Sequence, residues 1–251
     1  MEEINEKRVL DANRLVYDAI ADIYEEVDGR RGDSTMAWMD GVLRNLSERT
    51  SGGRLLDFGC GTGLVLGKSR SFFREIYGLD VSLRVMKQVA CKTEGLVLGD
   101  GKPLPFKDDT FDVASFFSVL HHLYDVQPYF KEAYRVIKPG GILYTDHDLD
   151  NKFFRRFKYP ISVYRKLFDR SRKITGRKAV SGEAVRLSEF RSEGLHTGDV
   201  SKALKDAGFR DIKVEFHWLG LNPLANKLSG GMRGTTFRQG FAPLMSVTAV
   251  K

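Results

Sequence analysis

Apolar side chains at Ile4, Val9, Leu10, Leu15, Val16, Ala19, Ile20, Ile23 and Val27 recur at three- and four-residue intervals. That spacing is the signature of an amphipathic helix, so the N-terminal stretch is expected to be helical. A second helix is expected over 34–49, with Ser34 as its N-cap and Ser51-Gly52-Gly53 as its stop. From there the period changes. Residues 54–58 read as a short buried strand, 61–73 as a glycine-opened helix, 75–79 as a strand, 82–91 as a helix capped by Ser82, and 96–98 as a strand. Pro103 and Pro105 mark a loop; 111–116 reads as a strand, 127–137 as a helix ended by Lys138-Pro139-Gly140-Gly141, and 142–146 as a strand. Regular alternation of strands and helices implies a parallel sheet covered by helices on both faces. A helix over 198–207, stopped by Gly208, precedes two β-rich runs, 212–218 and 244–250. No helix follows the last run, which suits an antiparallel strand returning into an otherwise parallel sheet.

The chain has 251 residues, enough for one substantial core and short for two. The apolar run 113–124 is too short to span a bilayer and carries two serines and two histidines. The opening Met1-Glu2-Glu3 has no apolar stretch behind it, so no secretory signal is expected. Two cysteines, Cys60 and Cys91, are too few for a disulfide framework or a cysteine metal site. Free thiols and a cytoplasmic location are the expectation. The net charge of +7 is unevenly placed: residues 151–178 hold eleven Lys/Arg against one acid, Asp169. The excess positive charge therefore belongs to one segment.

The most informative stretch is Leu55-Leu56-Asp57-Phe58-Gly59-Cys60-Gly61-Thr62-Gly63. An apolar strand runs into a glycine turn that opens a helix. Glycine lets backbone N–H groups approach a ligand with no Cβ in the way, and the helix start adds partial positive charge. The spacing is G-x-G-x-G, not the G-x-G-x-x-G of a dinucleotide fingerprint. Asp80 closes the second strand, 21 residues after Gly59. A carboxylate there can accept hydrogen bonds from both hydroxyls of a ribose.

With these motifs the sequence closely resembles the class I S-adenosylmethionine-dependent methyltransferases, in the broad branch that includes the ubiquinone- and menaquinone-biosynthesis type. The resemblance covers roughly residues 54–147 and takes in Leu104-Pro105-Phe106 and Arg135-Val136-Ile137-Lys138-Pro139-Gly140-Gly141. It implies an α/β Rossmann-like fold: a seven-stranded sheet with an antiparallel last strand and helices on both faces. It also implies S-adenosyl-L-methionine as cofactor, held by Asp57, Gly59, Cys60, Gly61, Gly63, Asp80, Val81, Asp100, Gly101 and Phe117. Asp100-Gly101 would lie beside the adenine, and residues 111–122 would be the fourth strand and the loop over the methionine part. Asp57 either touches the cofactor or braces the loop. In similar enzymes a tyrosine of the N-terminal region closes over the cofactor; Tyr17 and Tyr24, seven apart on one helix face, are the candidates, with Tyr24 taken into the site. The expected organisation is one methyltransferase domain over 1–251, with a helical cap at 1–50 and a basic, aromatic insertion at 150–195.

A sulfonium carries its own activation, so the chain has mainly to align an acceptor and exclude water. A base helps where the acceptor is a hydroxyl or an acidic carbon. The candidates follow the fourth and fifth strands: His121, His122, Asp146, His147 and Asp148, with His122 and His147 chosen as catalytic. A metal site from these residues is not expected, because neighbours on a strand point to opposite faces. Ser115-Phe116-Phe117-Ser118 stands where amino-group methylases of adenine, cytosine and glutamine carry Asp-Pro-Pro-Tyr or Asn-Pro-Pro-Tyr. That argues against such methylases; the acceptor is not identified, and a small molecule or lipid-like metabolite is the expectation. Residues 151–178 interleave their cations with Phe153, Phe154, Phe157, Tyr159, Tyr164 and Phe168, and Pro160 interrupts the helical spacing. Three readings stay open for that segment: a substrate lid, an element docking on an anionic membrane, and an RNA contact surface. The alternatives to a small-molecule enzyme are accordingly an RNA methyltransferase and a non-catalytic S-adenosylmethionine-binding protein; no obligate protein partner is evident.

Overall fold

The computed structural model describes residues 4–28, 32–167, 174, 180–219 and 235–251. Its strands are β1 (Arg54–Phe58), β2 (Glu75–Asp80), β3 (Gly95–Leu98), β4 (Phe111–Phe117), β5 (Ile137–Leu149), β6 (Arg210–His217) and β7 (Leu244–Val250). They form one sheet in the order β3-β2-β1-β4-β5-β7-β6. The first five run parallel, and β7 is antiparallel to both β5 and β6. The ending without a helix has the consequence expected of it.

Alternation along the strands divides the core. Leu56, Phe58, Ala114, Phe116 and Leu143 face one way and pack with Phe130 and Val136 of α6 (Gln127–Val136) and Leu204 of the helix Thr197–Ala207. Leu55, Val113, Ile142 and Tyr144 face the other way, against Leu43 and Leu46 of α3 (Asp33–Thr50) and Leu66 of α4 (Leu64–Ser69). Both faces are covered, as near-continuous apolar parallel strands require.

Several boundaries differ from the sequence reading for identifiable reasons. The second helix starts at Asp33 after Gly32, so Ser34 lies inside the first turn and is not the cap. α4 starts only at Leu64, because Gly61 and Gly63 hold φ of +54° and +83°, a conformation no right-handed helix accepts. Lys138-Pro139-Gly140-Gly141 does not separate helix from strand; β5 already begins at Ile137, and its pairing with β4 shifts register between Phe111 and Val113. The break in the basic segment falls at Phe157. α7 (Asn151–Arg156) is capped by the Asp150 side chain, and α8 (Lys158–Leu167) accommodates Pro160 in its first turn, where a missing N–H costs nothing. Phe168, Arg170, Arg172, Lys173, Arg177 and Lys178 lie outside the described residues.

The N-terminal amphipathic stretch divides into α1 (Glu6–Ile20), a 3-10 turn (Ala21–Ile23) and α2 (Tyr24–Asp28), and Asn5 caps α1 by accepting from the Arg8 N–H. Val16 and Ile20 pack with Ala184 and Val185 of α9 (Gly182–Ser188). The Ser82 hydroxyl donates to Asp18 at 2.6 Å, tying α1 to the end of β2, where Ser82 also caps α5 (Leu83–Met86). Among the described residues no helix is long and apolar enough to cross a membrane.

Phe130 has no exposed surface and meets Phe116 edge-to-face at 5.8 Å. Phe130→Ala is expected to destabilise the fold by about 3–5 kcal/mol, read from the midpoint of urea unfolding at unchanged slope.

Candidate active site at the carboxyl ends of the parallel strands

Phe58 pairs with Leu79 on one side and Phe116 on the other, so β1, β2 and β4 end level. Strand order reverses about β1, and a crevice opens beyond such a switch point. The crevice holds about 870 Å³ of empty space continuous with solvent. Gly59, Gly61, Asp80, Val81, Asp100, Phe117, Tyr24 and His122 line it, together with Val9, Leu10, Asn13 and Tyr17 of α1.

The turn after β1 is shaped by its glycines. Gly59 has φ of +63°, and a Cβ there would lie 2.6 Å from Val119 Cγ2. A Cβ on Gly61 would lie 3.3 Å from the Tyr24 hydroxyl, which places Tyr24 directly over the turn. Asp80 holds the turn: its Oδ2 accepts the Gly61 N–H at 2.9 Å and its Oδ1 the Ser82 N–H at 2.9 Å. Each oxygen keeps a second acceptor position. Burial pushes the Asp80 carboxyl above its ordinary value, opposed by the N–H groups of Ser82, Gly61 and Val81.

Four of the residues expected at the site stand behind its wall. Asp57 accepts the Ser115 hydroxyl at 2.6 Å across the β1–β4 pair. Its burial, opposed by that hydrogen bond and reinforced by the charge on Asp80, raises its pKa to about 7. Cys60 is buried, and burial pushes its thiol well up, so no thiolate nucleophile forms there. Gly63 precedes α4, and Gly101 packs where a Cβ would meet Leu79 at 2.9 Å.

Opposite the carboxylates, α1 meets the 3-10 turn Leu120–His122. Buried Asn13 donates to the His122 carbonyl at 3.1 Å, and Tyr17 Oη lies 2.9 Å from His122 Nε2. His122 Nδ1 faces the Ser188 carbonyl at 2.5 Å. A carbonyl only accepts, so the ring proton sits on Nδ1, leaving the Nε2 lone pair toward the Tyr17 hydroxyl. Burial, followed by the neighbouring His121, lowers the His122 pKa to about 4, and the ring is neutral at physiological pH. His121 lies against the His122 ring, centroids 3.9 Å apart, but bonds elsewhere: its Nδ1 and backbone N lie 2.7 and 3.0 Å from Asp148 Oδ1.

His147 is absent from the crevice lining. It is buried behind Phe117, ring centroids 4.2 Å apart. Strand alternation would have sent Asp146 and His147 to opposite faces. Instead β5 and β7 shift register between Thr145 and Asp148, and His147 takes φ of +66°, which turns both side chains the same way. His217 of β6 joins them, its Nε2 2.7 Å from Asp146 Oδ1, while the Trp38 and Tyr144 side chains donate to Oδ2. Burial alone would raise the Asp146 pKa; His217, His147 and their hydrogen bonds outweigh it and hold the carboxyl well below the usual range. Among the described residues two groups bring three potential metal ligands within 4.8 Å, His121-His122-Glu189 and Asp146-His147-His217. In the second, the Asp146 carboxylate already accepts hydrogen bonds on both oxygens. Trp38, Ser188 and His217 had no local motif to mark them; each reaches its partner across 66 or more residues.

A family model described as a methyltransferase domain matches residues 56–145, the span from β1 into β5. The demethylmenaquinone methyltransferase of Anoxybacillus flavithermus is 26% identical over 239 residues, covering 88% of this chain and 95% of that protein. The chain carries a methyltransferase domain and is an S-adenosylmethionine-dependent methyltransferase. In fold, the methyltransferase resembles the S-adenosylmethionine-dependent methyltransferase of Archaeoglobus fulgidus, with a TM-score of 0.57, 18% identity and coverage of 91% of this chain and 98% of that one. It resembles the [4+2]-cyclase SpnF equally, at a TM-score of 0.59, 20% identity and coverage of 95% and 94%. The fold by itself therefore does not name a reaction; residues in the crevice must.

Because Asp57 is easier to protonate in the fold than its ordinary value of 3.8, folding favours its acid form. Its contribution to stability is full below about pH 4 and is lost as pH rises through about 7. Asp57→Asn is expected to remove that loss. The difference in urea midpoint, variant minus native, should grow from about pH 4 to about pH 7 and then level off.

Proposed function

We propose that the crevice transfers the methyl group of S-adenosylmethionine to a hydroxylated, quinone-like ring held against α1, and that Tyr17 and His122 take up the acceptor's proton. The observation that carries this reading is that one crevice is lined by two sets of groups. To a cofactor end we assign Asp80, Asp100 and the glycine turn, and to an acceptor end the neutral imidazole paired with a tyrosine hydroxyl among apolar walls.

The first end suits the cofactor. Asp80 presents spare acceptors to a ribose diol, Asp100 stands toward the base, and the turn at Gly59 and Gly61 leaves room that a Cβ would fill. Tyr24 closes over that turn. Asp57 and Gly63 act from behind, by bracing the strand end and starting α4. When bound, S-adenosylmethionine supplies an electrophilic methyl group and departs as a neutral thioether.

What the chain contributes is position and a proton path. Phe117, Val119, Leu123 and Tyr124 give a flat ring an apolar wall. A ring hydroxyl hydrogen-bonded to Tyr17 Oη loses its proton as the neighbouring ring carbon forms its bond to methyl, and Tyr17 passes its own proton to His122 Nε2; that carbon's own hydrogen then leaves as a proton and the oxygen regains one, which restores the aromatic ring. The Ser188 carbonyl keeps the ring in the accepting tautomer throughout. The low pKa of His122 keeps the lone pair available across the physiological range and returns the proton readily after transfer. The reduced, quinol form of demethylmenaquinone, the compound in the name of the Anoxybacillus relative, is an acceptor of this kind.

Asp80→Ala is expected to weaken S-adenosylmethionine binding on the order of 100-fold, about 3 kcal/mol, in calorimetric titration. His122→Gln should lower kcat about 100-fold on a demethylated naphthoquinol, with Tyr17→Phe losing less. Cofactor affinity should stay within about twofold in both, since neither residue is assigned to the cofactor end. An unchanged kcat in His122→Gln would remove the proton path from the mechanism.

A further inference from the structure

We infer that α7 and α8 form a docking surface for an anionic lipid bilayer. From Asn151 to Lys166 the chain carries Lys152, Arg155, Arg156, Lys158, Arg165 and Lys166 and no acid. All six are exposed. None of Lys152, Arg155, Arg156, Lys158 or Lys166 pairs with a carboxylate among the described residues.

The apolar side chains of this hairpin separate into two sets. Phe153 and Phe154 are buried and anchor α7 to the body, with Arg165 reaching back over the Phe154 ring and to the Ser192 carbonyl. Tyr159, Val163 and Tyr164 face outward, and Tyr159 is 85% exposed, the most of any large hydrophobic side chain among the described residues. Tyr159 and Val163 are four apart, on one face of α8. Arg156 lies over the half-exposed ring of Phe241, 4.0 Å from its centroid, which continues the same mixture of ring and cation beside the hairpin. A helix that offers tyrosine and valine to solvent within a field of uncompensated cations matches the headgroup layer of a bilayer: rings and aliphatic carbon enter the interface while ammonium and guanidinium groups stay with the phosphates. An aliphatic valine beside the ring gives no stacking plane, which sets this face apart from a single-stranded RNA surface.

The position serves the reaction. α7 follows directly from β5, whose carboxyl end lies with those of β1, β2 and β4 at the crevice end of the sheet. A bilayer docked on α8 would present a lipid-like acceptor at that end; this purpose rests on the quinone-like reading above, whereas the surface stands on its own geometry.

Flotation with phosphatidylglycerol–phosphatidylcholine vesicles, and with phosphatidylcholine alone, tests the surface. The full chain should float with the anionic vesicles only and be released by high salt. Tyr159→Ser/Val163→Ser and Lys158→Glu/Lys166→Glu should each reduce the bound fraction about tenfold. Unchanged S-adenosylmethionine binding in both double variants shows that they are folded. Absence of flotation, flotation indifferent to both double variants, or loss of RNA binding in these variants without vesicle binding would each overturn the proposal. Failure to methylate a soluble naphthoquinol, with flotation intact, would count against the acceptor reading and not against this surface.

Discussion

The hydrogen bond from Gly61 N–H to the Asp80 carboxylate is the constraint on which the crevice depends. It joins the turn after β1 to the end of β2, so the two strands must finish at the same height. The turn can then pass under Tyr24 only if no Cβ intervenes, and α4 can start only after the left-handed glycines. Asp80 is half-buried, and its charge is tolerable because backbone N–H groups converge on it. A carboxylate placed this way braces the loop and faces the crevice with the same two atoms.

α1 depends on that arrangement in turn. It is fastened over the crevice by short polar contacts distributed along its length: Asn13 to the His122 carbonyl, Tyr17 to His122 Nε2, and Asp18 to Ser82. These are single hydrogen bonds, each contributing about 1 kcal/mol net. Val16 and Ile20, packed on α9, add the apolar part. An element held by such modest terms can open locally at far lower cost than the sheet, which suits a wall past which cofactor and acceptor must move.

Two imidazoles near the strand ends, His122 half-buried and His217 buried, have opposite surroundings. His122 has a carbonyl on one nitrogen and a tyrosine hydroxyl on the other, with no carboxylate hydrogen-bonded to its ring. His217 is bonded directly to Asp146. The first environment keeps a ring neutral with its lone pair toward the Tyr17 hydroxyl; the second ties its ring to a buried acid. This difference, more than closeness to a motif, separates a ring with a lone pair to offer from one bound to a carboxylate.

The glycine turn, Asp80, the alternation of strands and helices and the returning last strand were legible in the sequence, because each is set by residues within a few positions of one another or by a fixed period. Placement of His147 was not, since it turns on a register shift against β7, about 100 residues further along the chain. The same holds for the partners of His122 and Asp146: Ser188 and His217 become neighbours only when β5, β6 and α9 have packed. The chain by itself determined the secondary structure, the cofactor turn and the location of the positive charge. Only the tertiary structure decided which histidine faces the crevice and which cations stand without a counter-charge among the described residues, because hydrogen-bond partnership and burial belong to distances between segments and not to spacing within them.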